Sequence, residues 1–178
     1  VLLAGLGSLL LPVRADEKPK PPAAAQLMTA AYQQAKAQKK NVFVHFTASW
    51  CGWCRRLESV LDSSEFKKIF TDSYVMVSLD VLENGPKKDL ENAGAETLLK
   101  QWGGDQGGIP FIVILDPKGN KLADSNRAPG GKNIGCPATD EEIAAFDSIL
   151  KETAQKMTAE QRSRVAAHFK KLNEKKKN

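Results

Sequence analysis

Apolar residues along this chain fall into two rhythms, a three-to-four-residue spacing and short unbroken runs, which predict helices and strands in alternation. Met28, Ala31, Tyr32 and Ala35 share one helical face, and Lys39, Lys40 and Asn41 close that helix with cations and a C-cap type. Val42 to Phe46 is apolar nearly throughout, the pattern of a central strand. Leu57, Val60 and Leu61 mark a second helix over Arg55 to Leu61, and Asp62 or Ser63 is a candidate cap for a short helix reaching Phe70. Tyr74 to Leu79 reads as a strand, Glu83 to Lys88 as a turn around Gly85-Pro86, and Asp89 to Trp102 as a helix. Phe111 to Leu115 is the next apolar strand, and Asp116-Pro117-Lys118-Gly119-Asn120 turns it into a weaker one at Lys121 to Ala123. After a glycine-rich loop, Thr139 and Glu142 form a capping box ahead of Ile143, Phe146, Leu150 and Met157. A second box at Thr158 and Gln161 opens a last helix carrying Val165, Phe169 and Leu172. The order predicts an α/β fold, with helices on both faces of one sheet and an extra C-terminal helix.

Length and composition fit this picture. The 178 residues suit one well-buried domain, and 42% hydrophobic with 26% charged residues excludes general disorder. The formal charge of +5 is concentrated in Lys170, Lys171 and Lys175 to Lys177, read as a solvated tail rather than a nucleic-acid or lipid site. Val1 to Leu11 is apolar, and Val13 and Ala15 suit the small positions before a secretory cleavage point. The run is shorter than the roughly 20 residues of a membrane span, so export without a stable span is expected, to the periplasm or the exterior. A charged, proline-rich linker follows over Asp16 to Ala25.

Two of the three cysteines carry the chemistry. Cys51-Gly52-Trp53-Cys54 lies where a strand hands over to a helix, a spacing that can close a small disulfide ring. The helix N-terminus stabilises a thiolate on Cys51, and Arg55 and Arg56 can add to that effect. Cys51 is then the nucleophile and Cys54 the resolving thiol. Two alternatives stand beside this reading: half of a zinc site, with only Cys136, His45 and His168 left as soft ligands, and an inert structural bridge.

The segment Phe46-Thr47-Ala48-Ser49-Trp50-Cys51-Gly52-Trp53-Cys54-Arg55-Arg56-Leu57 resembles the active-site segment of thioredoxin-family proteins, above all exported bacterial ones. Gly108-Ile109-Pro110-Phe111 and the apolar run after it resemble the family's cis-proline segment, and the likeness spans about Met28 to Leu150. The resemblance implies a thioredoxin fold over residues 26–157, after a signal peptide at 1–15 and a linker at 16–25, and before a C-terminal helix and basic tail at 158–178. It implies a thiol–disulfide oxidoreductase whose only redox group is the Cys51–Cys54 disulfide, with no metal or organic cofactor. Its partners would be protein thiols and disulfides and a separate redox partner. Pro110 would be the cis-proline, the Ile109 backbone would bind substrate peptide, and Trp50 would help dock it. Gly52 and Trp53 between the cysteines would tune the pair. The competing expectation is a non-catalytic binding module that uses the cis-proline surface.

Three positions depart from the family pattern or stand outside it. His45 occupies the strand position where relatives carry a buried acid, so it is either a proton acceptor for the resolving cysteine or a packed core histidine. Cys136 reads first as a small buried hydrophobe, with an extra thiol near the site or intermolecular pairing as alternatives. His168 shares a face with Val165, Phe169 and Leu172 and reads as a packing residue. The Gly103 to Gly108 stretch lacks the ending of a phosphate loop and is expected to be a flexible approach to Pro110.

Overall fold

A computed structural model describes residues 19–174; the expected signal peptide, the start of the linker and Lys175 to Lys177 lie outside the described residues. Four strands form one mixed sheet in the order β2-β1-β3-β4, with β1 at Asn41–Thr47, β2 at Tyr74–Asp80, β3 at Phe111–Leu115 and β4 at Lys121–Asp124. β1 pairs parallel with β2 and antiparallel with β3, and β3 pairs antiparallel with β4. Every residue of β1 and β3 is buried, because helices cover both faces of these strands and leave no side for polar alternation.

Strand periodicity divides the core into two layers. Val42, Val44 and Phe46 of β1, with Phe111, Val113 and Leu115 of β3, face helices α1 (Ala24–Gln38) and α4 (Ala95–Gln101). Phe43, Ile112 and Ile114 face the other way, against α2 (Gly52–Leu61), α3 (Lys67–Ser73), α5 (Asp140–Thr153) and α6 (Ala159–Glu174). His45 lies two residues from Phe43 and therefore on the α2 face of the sheet.

Several boundaries differ from the sequence expectation. α1 begins at Ala24, inside the expected linker, because Ala24 is buried and its N–H donates to Ala93 O, while Asn92 Nδ2 donates to Pro22 O. Lys39, not Asn41, is the left-handed C-cap of α1, at φ 52°, and Asn41 opens β1. Asp62 caps the C-terminus of α2, and Ser63 stabilises the turn that leads to α3 by accepting from Phe66 N. The single helix expected over Asp89 to Trp102 is a 3-10 turn at Gly85–Leu90 followed by α4, broken where Gly94 takes φ 85°. Both predicted capping boxes form: Thr139 with Glu142, and Thr158 with Gln161. Val165 and Phe169 of α6 are buried in the same core as α5.

Candidate functional site

β1, a central strand, delivers the chain to one end of the sheet, and Cys51 is the N-cap of α2. Cys51 and Cys54 are joined in a disulfide, their Cα atoms 5.3 Å apart. Cys51 Sγ accepts the Cys54 backbone N–H at 3.1 Å, so the sulfur occupies the position of a helix-capping oxygen. A thiolate there meets an otherwise unpaired donor and the positive end of the helix. Both cysteines are buried, packed with Ala48 and Ile109.

The two arginines expected to assist Cys51 are engaged elsewhere. Arg55 Nη1 donates to Ser49 O at 2.7 Å, bracing the turn before Cys51. Arg56 donates to Asn173 Oδ1 on α6, and its guanidinium lies 5.4 Å from the Trp53 ring centroid. Gly52 is the first residue of α2. Trp50, before Cys51, and Trp53, between the two cysteines, are 49% and 44% exposed and put aromatic surface beside the disulfide.

The segment ahead of Cys51 is fixed from the β2 side by a residue that no spacing pattern singled out. Glu83 is buried, and its carboxylate accepts from Ser49 N at 2.5 Å and Ser49 Oγ at 2.9 Å. Trp50 Nε1 donates to Leu82 O at 2.7 Å, where Leu82 is held at φ 57°. A lone Glu beside Asn84-Gly85 has no periodicity to reveal that it is buried.

The histidine in β1 has an acidic partner, supplied by α2. His45 Nε2 lies 3.3 Å from Glu58 Oε1, which also accepts from Thr47 Oγ1 at 2.7 Å. Glu58 follows Cys54 by four residues and so shares its helix face. The hydrogen bond from His45 holds the Glu58 carboxyl below its ordinary range, helped by Thr47 and by the charges of His45 and Arg55, against the opposing effect of burial. The other ring nitrogen, His45 Nδ1, is buried without a hydrogen-bond partner among the described residues.

Asp80, paired in register with Thr47, shows the opposite shift. Burial raises its carboxyl pKa, Glu83 and Glu58 add to the rise, and His45 partly offsets it. An acid whose folded-state pKa is raised opposes folding when ionised, and the penalty vanishes below its unfolded pKa of about 3.9. Asp80→Asn is therefore expected to raise the Tm near neutral pH. The gain should shrink as pH falls through the raised folded value and vanish below the unfolded one, as thermal melts across that range would show.

Opposite the disulfide, the Ile109–Pro110 peptide bond is cis, and Ile109 O lies 3.7 Å from Cys51 Sγ. The glycine-rich approach has a packing reason as well as freedom: a Cβ on Gly104 would come within 2.4 Å of Leu99 and 2.5 Å of Phe111. Beside this loop is a cavity of about 190 Å³ lined by Trp53, Ile109, Pro110, Asn133, Cys136 and Glu142 among others. Cys136 is buried in the α2–α5 core and reaches this cavity wall. His168 packs edge-on against Phe66, with ring centroids 5.1 Å apart, which is a packing role. Among the described residues no group of three or more His, Cys, Asp or Glu side chains is placed to hold a metal ion.

A mixed sheet that ends in a helix-capping cysteine pair, with a cis-prolyl loop across from it, defines the class: a thioredoxin-fold protein with a disulfide-forming Cys-x-x-Cys. The thioredoxin-like family profile matches residues 23–117, and the chain belongs to that family. The chain is 31% identical over 121 residues to disulfide bond reductase DsbH of Chlamydia pneumoniae, covering 65% of this chain and 72% of that protein. It is 27% identical over 120 residues to a protein disulfide-isomerase of Hordeum vulgare, covering 67% of this chain but only 19% of that longer protein. The crystal structure of a disulphide isomerase from Xylella fastidiosa shares the fold, at TM-score 0.50 and 20% identity over 93% of this chain and 98% of that one.

Proposed function

We propose that this protein is a thiol–disulfide oxidoreductase that reduces disulfides in other proteins. The observation that carries the reading is the Cys51–Cys54 disulfide at the head of α2, facing the Ile109–Pro110 loop. In the reduced protein the Cys51 thiolate attacks a substrate disulfide. One substrate sulfur bonds to Cys51 and the other leaves as a thiolate. Cys54 then loses its proton and attacks Cys51 Sγ, releasing the second substrate thiol and closing the Cys51–Cys54 disulfide. The substrate gains two electrons and this chain loses them, so a separate dithiol donor must return them. The cysteine pair is itself the redox group, and the scheme calls on no metal or organic cofactor.

Three features support the reductive direction. A strongly oxidising pair needs a heavily stabilised thiolate. Here Arg55 hydrogen-bonds Ser49 O, and Arg56 hydrogen-bonds Asn173 and stacks on Trp53, so the direct hydrogen bond to Cys51 Sγ is the helix-capping one from Cys54 N. The similarity to a disulfide bond reductase agrees. The His45–Glu58 pair lies on the Cys54 face of α2, and we assign it the proton that Cys54 gives up on resolution. Trp50 and Trp53 supply the apolar surface for a protein substrate, and the Ile109 backbone supplies its polar contact.

Export is part of the proposal, resting on the apolar run and the Val13 and Ala15 pattern at the start of the chain. No helix among the described residues is long and apolar enough to cross a membrane. Covalent capture of substrates by a Cys54→Ser variant tests the reading. Undiminished partner binding and biological activity in a Cys51→Ala/Cys54→Ala variant would instead favour a binding module.

A further inference from the structure

The loop that faces the disulfide has little stiffness of its own. Gly103, Gly104, Gly107 and Gly108 fall within six residues, and Gly108 sits at φ 72°. Its start is tied by Asn126 Nδ2, which donates to Gly103 O at 2.8 Å, and by Gly104 N, which donates to Leu99 O at 2.9 Å; the end nearest the disulfide is held by a side chain from a different loop. Asn133 Nδ2 donates to Gly108 O at 2.8 Å and to Pro110 O at 2.9 Å, with a longer contact to Gly107 O at 3.3 Å. The two short bonds grip the carbonyls on either side of Ile109.

The amide is itself anchored to the sheet. Its Oδ1 accepts from Ser125 Oγ at 2.7 Å and from Gly135 N at 3.0 Å. Ser125 is fully buried, its Oγ accepts from Ile112 N at 2.9 Å, and its own N–H donates to Ile112 O at 2.9 Å. A continuous hydrogen-bonded path thus runs from β3 through Ser125 and Asn133 to both sides of Ile109. Gly107 fits the same arrangement, since a Cβ there would come within 2.5 Å of Asn133 Cβ. Asn133 also lines the cavity beside Pro110.

We infer that Asn133, oriented by Ser125, is a positioning residue for substrate. It fixes the Ile109 backbone at the distance from Cys51 that a docked polypeptide needs, and it takes no part in the sulfur chemistry. The inference rests on the thiol–disulfide reading above. A rigid backbone platform matters for a polypeptide that docks by main-chain hydrogen bonds, and hardly at all for a small disulfide that needs only the Cys51 sulfur.

The discriminating experiment compares wild type, Asn133→Asp and Ser125→Ala with insulin and with dithiobis(nitrobenzoate) as electron acceptors. It adds the Cys51–Cys54 reduction potential and hydrogen exchange over residues 103–110. Asn133→Asp keeps the shape and Oδ1 but removes both donors; Ser125→Ala leaves Asn133 intact and loosens its anchor. For Asn133→Asp, KM for insulin is expected to rise about 10-fold or more, with kcat and the small-disulfide rate within about 2-fold of wild type. The potential should be unchanged, exchange over 103–110 faster, and Ser125→Ala intermediate. Unchanged insulin kinetics and unchanged exchange in Asn133→Asp would overturn the inference. Equal losses on both acceptors with a shifted potential would also overturn it, by showing general damage to the site. A wild-type protein inactive toward both acceptors would instead remove the thiol–disulfide reading, and this inference with it.

Discussion

A Cys54→Ser variant, reduced and then offered disulfide-containing proteins, is expected to accumulate covalent complexes that a reductant dissolves. Cys51 caps α2 and accepts a backbone N–H, so its thiolate forms without help from Cys54. The first attack therefore survives the substitution. The second does not: in the wild type Cys54 is close enough to bond Cys51, whereas a serine hydroxyl cannot displace a thiolate from a mixed disulfide. Each encounter then stops at the intermediate, visible as a reductant-sensitive band on non-reducing gels. The Cys51→Ala/Cys54→Ser protein should give none, because the only attacking sulfur at the site is gone. Turnover should fall to the uncatalysed level in both variants. Complexes in the double variant would place the reactive thiol elsewhere, with Cys136 the next candidate.

The largest expected loss of stability comes from α6, which packs into the same core layer as α2. Phe169 on α6 is fully buried and packs edge-on against Phe146 of α5, with ring centroids 5.6 Å apart. Truncating a buried Phe to Ala removes its transfer free energy and leaves a cavity, at a cost of about 3–5 kcal/mol. That is a large part of the roughly 5–15 kcal/mol that holds a typical domain together, and for this size it lowers Tm by roughly 10 °C. Denaturant melts of Phe169→Ala would read the loss directly. A loss under about 1 kcal/mol would show instead that α6 is peripheral, as a domain boundary at residue 158 implies.

Strands β1 and β3 were readable because two-sided burial leaves an unbroken apolar run. The cysteine pair was readable because its spacing is short and local. The position of Pro110 came from resemblance to a family, not from any local rule. Other features depend on chain segments far apart in sequence and left no local pattern. Glu58 meets His45 only because α2 folds back over β1, and on its helix it reads as one more exposed acid. Glu83 lies 34 residues from the serine it holds. Asn133 is 23 residues from Pro110, in a loop that shows only turn-forming composition. Arg55 and Arg56 were legible as charges but not in direction: adjacent residues on a helix point apart, and neither turned toward the sulfur. The helix expected over Asp89 to Trp102 failed for a related reason. Its apolar spacing continued across Gly94, where the backbone turns left-handed.

The central claim is that Cys51 and Cys54 form a reversible two-electron couple poised to donate electrons. Equilibrating the purified protein with dithiol buffers of graded potential, and counting reduced cysteines at each step, measures it. A single two-electron transition, lost in Cys51→Ala, is expected, with a midpoint near thioredoxin's, about −270 mV. A midpoint near about −120 mV, that of a strong oxidant, would contradict the reductive direction, and a disulfide that does not titrate at all would contradict the function.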